Sequence, residues 1–202
     1  IFAVMALALS PAWAQAGSLA AFADGSHKVW IKAIDDFNNE TLAPIDVLID
    51  KTPPTVLVAQ PADSLWLGSA SVQLAGSADD GAGSGVGLVE YRLEHAILIP
   101  ELLVDWTAAN GSKDWSKSVD MSGYGEGLFQ LKARATDNAG NVSAILTRSF
   151  GIDTAPPELF ETIVVVPTLK YYNAALHLEG YIQDNNGVMK AEVFLKVNGG
   201  AE

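Results

Sequence analysis

Apolar and polar residues alternate at a period of two along much of the chain. In residues 25–35, His27, Val29, Ile31 and Ala33 fall on one side, and Lys28, Trp30 and Lys32 on the other. Phe129, Leu131, Ala133 and Ala135 alternate in the same way with Gln130, Lys132 and Arg134. Successive side chains of a strand point to opposite faces, so this period predicts strands with one buried and one wet face. Val72 and Leu74, then Val89, Tyr91 and Leu93, then Phe150 and Ile152 continue the pattern. Turn-forming clusters separate the runs: DDGAGSG at 79–85, NGS at 110–112 and NAGN at 138–141. No segment carries a helical period; residues 97–104 come closest, and Pro100 interrupts them.

The chain also repeats itself. Trp13 and Trp115 stand 102 residues apart, as do Gly25 and Gly127, Asp35 and Asp137, and Asn39 and Asn141. One added residue then sets the offset to 103, which pairs Ile49-Asp50 with Ile152-Asp153 and Pro53-Pro54 with Pro156-Pro157. Val72, Leu74 and Gly76 match Leu176, Leu178 and Gly180 at 104, and across a shorter turn Val86, Glu90 and Leu93 match Val188, Glu192 and Leu195. A fixed period marks an array of similar units.

The division this predicts is the C-terminal half of one unit at 1–52, a whole unit at 53–154 and the N-terminal half of a third at 155–202, as a stretch of a longer array. Short strands without helices make each unit an antiparallel two-sheet β-sandwich. The junctions DKTPP (50–54) and DTAPP (153–157) are then linkers. Paired prolines fix backbone angles and remove donors, so they end one sheet and hold the next unit at a semi-rigid distance. Each half-unit is expected to leave an apolar face or a sheet edge uncovered.

Residues 1–9 are almost wholly apolar, and Ala12, Ala14 and Ala16 follow at cleavage-like spacing, so 1–16 has a reading as the remnant of a secretory signal. Against it, no basic residue precedes the apolar run, and Trp13 falls in register with Trp115. Nine apolar residues are too few to span a bilayer.

Composition narrows the partners. A hydrophobic fraction of 49% supplies a core and excludes a disordered chain. Twelve basic against 24 acidic residues leave a net charge of −12, which repels nucleic acid and anionic membrane surfaces. The absence of Cys removes disulfides, thiolate nucleophiles and Cys-ligated zinc.

The strongest local motif is Asp137-Asn138-Ala139-Gly140-Asn141, echoed by Asp35-Asp36-Phe37-Asn38-Asn39. Asp and Asn cap tight turns and Gly accepts positive φ, so a hairpin between the last two strands explains it. The functional alternative is calcium, a hard cation that takes six or more oxygens. Its candidate ligands are the junction acids Asp50 and Asp153 with the loop acids Asp79, Asp80 and Asp184, converging near a boundary between units. No other cofactor is expected. The glycine-rich run at 81–87 superficially matches a phosphate loop, but a strand pattern follows it where a phosphate site needs a helix, so it reads as a flexible loop.

His27, His95 and His177 occupy unlike places in the repeat, with no flanking Ser, Asp or His-x-x-x-His arrangement. No catalytic residues are expected, and no enzyme activity. Trp115 is expected in the core, while Trp30, Trp66 and Trp106 are expected nearer the surface, as interdomain residues or as contacts for carbohydrate or protein. Asn39, Asn110 and Asn141 each open a triplet that satisfies the glycan-acceptor pattern.

With GSHKVWIKAID at 25–35, ATDNAGN at 135–141 and the DTAPP closer on the page, the chain resembles the repeated bacterial immunoglobulin-like domains of surface and secreted proteins, and is similar to hyalin-type repeats. The resemblance implies tandem immunoglobulin-like sandwiches, extracellular or on the cell surface, working as a spacer or adhesion module. It implies neighbouring repeats in the same chain as partners, with cell-surface protein or carbohydrate as further ones, and no membrane insertion. The alternative it implies is an accessory region of a secreted multidomain hydrolase. One departure is visible: the place of a tyrosine corner holds His27 in one copy and Phe129 in the other, and phenylalanine cannot make the corner hydrogen bond.

Overall fold

The structure, a computed structural model, describes residues 4–6, 21–97, 100–161 and 180–192. The signal reading of 1–16 and the positions of Trp13 and His177 fall outside these, apart from a short strand β1 at Val4–Ala6. The remaining strands are β2 (Gly25–Ile34), β3 (Glu40–Ile49), β4 (Thr55–Gln60), β5 (Leu65–Leu67), β6 (Ser71–Asp79), β7 (Val86–His95), β8 (Glu101–Ala108), β9 (Asp114–Asp120), β10 (Gly127–Asp137), β11 (Leu146–Ile152), β12 (Glu158–Glu161) and β13 (Gly180–Gln183). A 3-10 turn spans Ser122–Tyr124, and no α-helix occurs among the described residues. In the segment that came closest to a helical pattern, β8 begins directly after Pro100, at the edge where a residue without an N–H costs no ladder bond.

Strands β4 to β11 form two sheets with the orders β4-β6-β9 and β5-β11-β10-β7-β8. This is the arrangement of an immunoglobulin-like sandwich. Alternation builds its core. Phe129, Leu131, Ala133 and Ala135 of β10 are completely buried, and so are Val89 and Leu93 of β7. Opposite them lie Val56 and Val58 of β4, Val72 and Leu74 of β6, and Trp115 of β9. Fully burying such a side chain contributes about 1.5–3 kcal/mol, so this one face carries most of the driving force.

The polar face of the larger sheet is laced by ion pairs, Lys132 with Glu94 at 2.6 Å and Arg134 with Glu90 at 2.8 Å. At the missing tyrosine corner an aromatic stack takes over: His95 lies 4.8 Å from Phe129, and Phe129 lies 5.6 Å from Phe150. Two pairings depart from the antiparallel expectation, β1 with β2 and, within this sandwich, β5 with β11. After β4 the chain crosses to the other sheet at 61–64, and β5 runs parallel to β11, Phe150 facing Leu65.

The repeat read from residue spacing reappears as strand register. Gly25 faces Ile49 across β2 and β3, as Gly127 faces Ile152 across β10 and β11. His27 faces Val47, as Phe129 faces Phe150. Glu158 faces Gln183 and Leu159 faces Ile182 across β12 and β13, as Thr55 faces Asp79 and Val56 faces Ala78 across β4 and β6.

One glycine of β6, Gly76, is fixed by space. A Cβ on Gly76 would lie 1.9 Å from the Leu57 carbonyl oxygen and 2.7 Å from Cζ2 of Trp115. Gly76→Ala is therefore expected to destabilise the sandwich by about 1–3 kcal/mol, as overpacking does, and to perturb Trp115 emission. Urea unfolding followed by tryptophan fluorescence measures both.

Candidate functional site

Three segments meet where the first linker enters the sandwich: the linker at Asp50, the loop between β6 and β7, and the turn between β10 and β11. Each is positioned by backbone chemistry. Asp137 Oδ1 accepts from the N–H groups of Ala139 and Asn141, and Oδ2 accepts from Asn141 Nδ2. Asp35 receives the same three bonds, from the N–H groups of Phe37 and Asn39 and from Asn39 Nδ2. The expected Asx turn is thus present in both copies, and the amides of Asn39 and Asn141 are occupied in it.

The turn then docks on the glycine-rich loop. Asn138 Nδ2 donates to the Ser84 carbonyl at 2.8 Å, and Ala139 N–H donates to Ser84 Oγ at 3.0 Å.

That loop is pinned by acids and not left as a free flexible segment. Ser84 N–H donates to Asp50 Oδ2 at 2.6 Å, and Gly85 N–H to Asp80 Oδ2 at 2.7 Å. A Cβ on Gly83 would lie 2.5 Å from Asp80 Oδ2 and 2.8 Å from Asp50 Oδ2, so only glycine lets both carboxylates approach. The loop therefore presents its amides to carboxylates and leads into a strand, which agrees with setting aside the phosphate reading. Asn141 Nδ2 completes the junction by donating to the Asp50 carbonyl.

In consequence, carboxylate oxygens of Asp50, Asp80 and Asp137 lie within 4.8 Å of one another. Asp137 is buried, and Asp50 and Asp80 are half-buried. Hydrogen bonds from Ser84, side chain first and then backbone, hold the Asp50 carboxyl below its usual range. Asp80 Oδ1 is buried and receives no hydrogen bond. None of the ion pairs among the described residues involves the three acids. Asp50 and Asp80 border an open cleft of about 400 Å3 that continues along Asp24, Thr52 and Thr55.

Of the five acids proposed from sequence, Asp50 and Asp80 converge. Asp79 borders the same cleft with an exposed side chain, while its carbonyl accepts from Thr55 Oγ1. Asp153 and Asp184 lie at the second junction, where Asn186 Nδ2 donates to Asp153 Oδ2 and Asn186 N–H to Asp184 Oδ1. Asp137 is the member the sequence reading assigned only to the turn. Its burial follows the period of β10, which places position 137 on the inner face, and that was the available signal.

The two junctions share one plan. Asp50 Oδ1 accepts from Thr52 N–H, and Asp153 Oδ1 from Ala155 N–H. Thr52 Oγ1 donates to Asp24, and Thr154 donates through both Oγ1 and N–H to Glu126, the acids standing just before the first glycines of β2 and β10. Trp66 flanks the second junction and lies flat on Gly151, where a Cβ would come within 2.3 Å of its ring. The other two surface tryptophans are half-covered: Trp30 faces Pro44 across the hairpin, and Trp106 has the Arg134 guanidinium 4.2 Å from its ring centre. His27 lies 2.8 Å from the Ala23 carbonyl and His95 stacks on Phe129, so neither forms part of a nucleophile–base pair. No described helix is long and apolar enough to cross a membrane.

No family model matches the chain, and no curated protein matches it. Among solved structures it is similar to a tetra-tandem repeat in the extending region of a large adhesion protein, at 22% identity and TM-score 0.43, over 69% of this chain and 34% of that one. It is also similar to the fibronectin(III)-like modules of Clostridium thermocellum CbhA, at 14% identity and TM-score 0.38, over 64% and 63% of the two chains. A variant of the SrpA adhesin from Streptococcus sanguinis matches at 21% identity and TM-score 0.34, over 56% and 64%. The chain thus spans less than two thirds of each. At this level the likenesses add nothing to the fold already defined by strand order.

The Thr154 bonds hold the Glu126 carboxyl below the usual glutamate range, the side-chain bond contributing most. A lowered folded value means the latch stabilises above the ordinary glutamate pKa, and that this contribution is lost as pH falls through the folded value. In a carboxyl NMR titration, Glu126 is expected to titrate below ordinary glutamates, and Thr154→Val to move its midpoint up toward them.

Proposed function

We propose that this chain is a non-catalytic run of immunoglobulin-like repeats that serves as a spacer or adhesion module of a larger surface or secreted protein. The reading rests on one observation: successive units share strand register and linker hydrogen bonds, while the two described histidines, His27 and His95, share no chemical surroundings. What is preserved between copies is shape and the way one unit is joined to the next. The units are 53–154 and the halves on either side, in the manner of bacterial immunoglobulin-like and hyalin-type repeats. Small-angle scattering of the chain tests this. An elongated particle that lengthens when one more unit is appended is expected, and a particle no longer than a single sandwich overturns it.

A second reading, calcium-stiffened adhesion, is favoured by the three convergent carboxylates. They repel one another, lack a basic partner among the described residues, and leave Asp80 Oδ1 buried without a donor. An all-oxygen donor set suits a hard cation and not zinc, and calcium accepts such oxygens with flexible geometry. Asp50, Asp80 and Asp137 would hold the ion, joining the linker to two loops of the next sandwich. A ligand that binds only the folded state at about a hundred times its Kd stabilises by about 2.7 kcal/mol. Calcium is therefore expected to raise the melting temperature relative to chelator, and Asp80→Asn to abolish the difference. Identical melts in calcium and chelator remove this reading without touching the first.

A further inference from the structure

An Asn followed by Gly can react with its own backbone, because glycine leaves the next amide nitrogen unscreened by a side chain. The sequence holds this dipeptide at 110–111, 186–187 and 198–199, the last outside the described residues. The first lies within the middle sandwich, in the turn that carries the chain from β8 of the larger sheet to β9 of the smaller one. Asn110 is exposed, and its carboxamide makes no hydrogen bond among the described residues. Gly111 follows at φ +83°, and its N–H donates to no described group. The carboxamides at the other turns are engaged: Asn39 donates to Asp35, Asn138 to Ser84, Asn141 to Asp137 and Asn186 to Asp153. Asn186 is therefore an internal comparison, with the same dipeptide and a glycine at φ +95° but a bound carboxamide.

We propose that Asn110 is a site of spontaneous deamidation, with water as the co-reactant, and that its isoaspartate product reshapes the turn between β8 and β9. The Gly111 nitrogen attacks Cγ of Asn110. As the N–Cγ bond forms, the Cγ–Nδ2 bond breaks, and ammonia leaves carrying the proton of the attacking N–H, so a succinimide closes with no change of oxidation state. Water then opens the ring. Attack at Cγ gives aspartate, and attack at the main-chain carbonyl gives isoaspartate, whose backbone runs through the side chain and is one atom longer. The turn has little room for that atom. A Cβ on Gly111 would lie 2.3 Å from the Asp114 carbonyl oxygen. Asn110 and Ser116 exchange N–H to carbonyl bonds of 2.9 Å, and the Lys113 carbonyl accepts from Ala78 N–H at 2.8 Å. A longer path between these points gives up one of the bonds, beside the buried Trp115. The Ser116 bonds resist the backbone rotation that ring closure needs, so folding slows the reaction at Asn110; Asn186 must in addition release Asp153.

Tryptic mapping with tandem mass spectrometry of the full chain, held in mildly alkaline buffer, tests the proposal. Asn110 is the single Asn of peptide 93–113, so its conversion is read without ambiguity. The amide-to-acid mass gain and isoaspartate are expected at Asn110 several-fold faster than at Asn186 in the native chain, with the ratio falling toward unity in urea. Asn110→Gln is expected to remove the signal and to melt as the parent does. Parent chain aged to isoaspartate is expected to melt below Asn110→Asp, which carries the added charge without the longer backbone. Native conversion at Asn110 no faster than at Asn186, a ratio that urea leaves unchanged, or aged chain that melts with Asn110→Asp would each overturn the proposal.

Discussion

Asp50 sits on a linker whose following prolines can donate no hydrogen bonds, so its grip on the next unit comes from groups of that unit. Its carboxylate accepts from Ser84 N–H, and its carbonyl accepts from Asn141 Nδ2. Two loops that are far apart in sequence are thereby anchored to one residue of the linker. The direction in which the chain enters the sandwich follows from this, because the linker cannot swing without leaving Ser84 and Asn141 to find other partners. The glycines at 83 and 85 serve the same end, one by making room for two carboxylates and the other by adopting φ +88°.

The cost of the arrangement is electrostatic. Bringing Asp50, Asp80 and Asp137 together concentrates negative charge, and each accepts from N–H groups, while no ion pair recorded among the described residues includes it. Hydrogen bonds stabilise a carboxylate, and those from Ser84, side chain first and then backbone, hold Asp50 below the usual range. They do not remove the repulsion between the three. Asp80 Oδ1, buried without a donor, is where that compensation is incomplete.

Much of the fold was legible because a strand writes its environment at a period of two. The alternation at Phe129, Leu131, Ala133 and Ala135 predicted one buried face, and all four are completely buried. The residue offsets predicted equivalent strands, and Gly25–Ile49 and Gly127–Ile152 are the same cross-strand pair in two units. What escaped was set by tertiary docking. The parallel pairing of β5 with β11 depends on a crossing between sheets that no local pattern encodes. Asp137 was legible as a turn former from its own five residues, but its approach to Asp50 depends on the turn resting on Ser84. The loop at 81–87 read as flexible because glycine composition reports freedom, whereas the hydrogen bonds that remove it come from residues outside the run.

The second junction shows which parts of this device are general. Asp153 repeats the turn made by Asp50, with Ala155 N–H in the role of Thr52 N–H. It accepts from Asn186 Nδ2 where Asp50 accepts from Ser84 N–H, so a side-chain amide has replaced a backbone amide across a shorter loop. The receiving atom and its place on the linker are retained while the donor changes. A hydrogen bond to a carboxylate depends on the donor's position more than on its source, so a loop can change length and still hold its linker. In an array the retained element is therefore the linker aspartate, and the loops that meet it are free to diverge in sequence so long as one N–H reaches the same point.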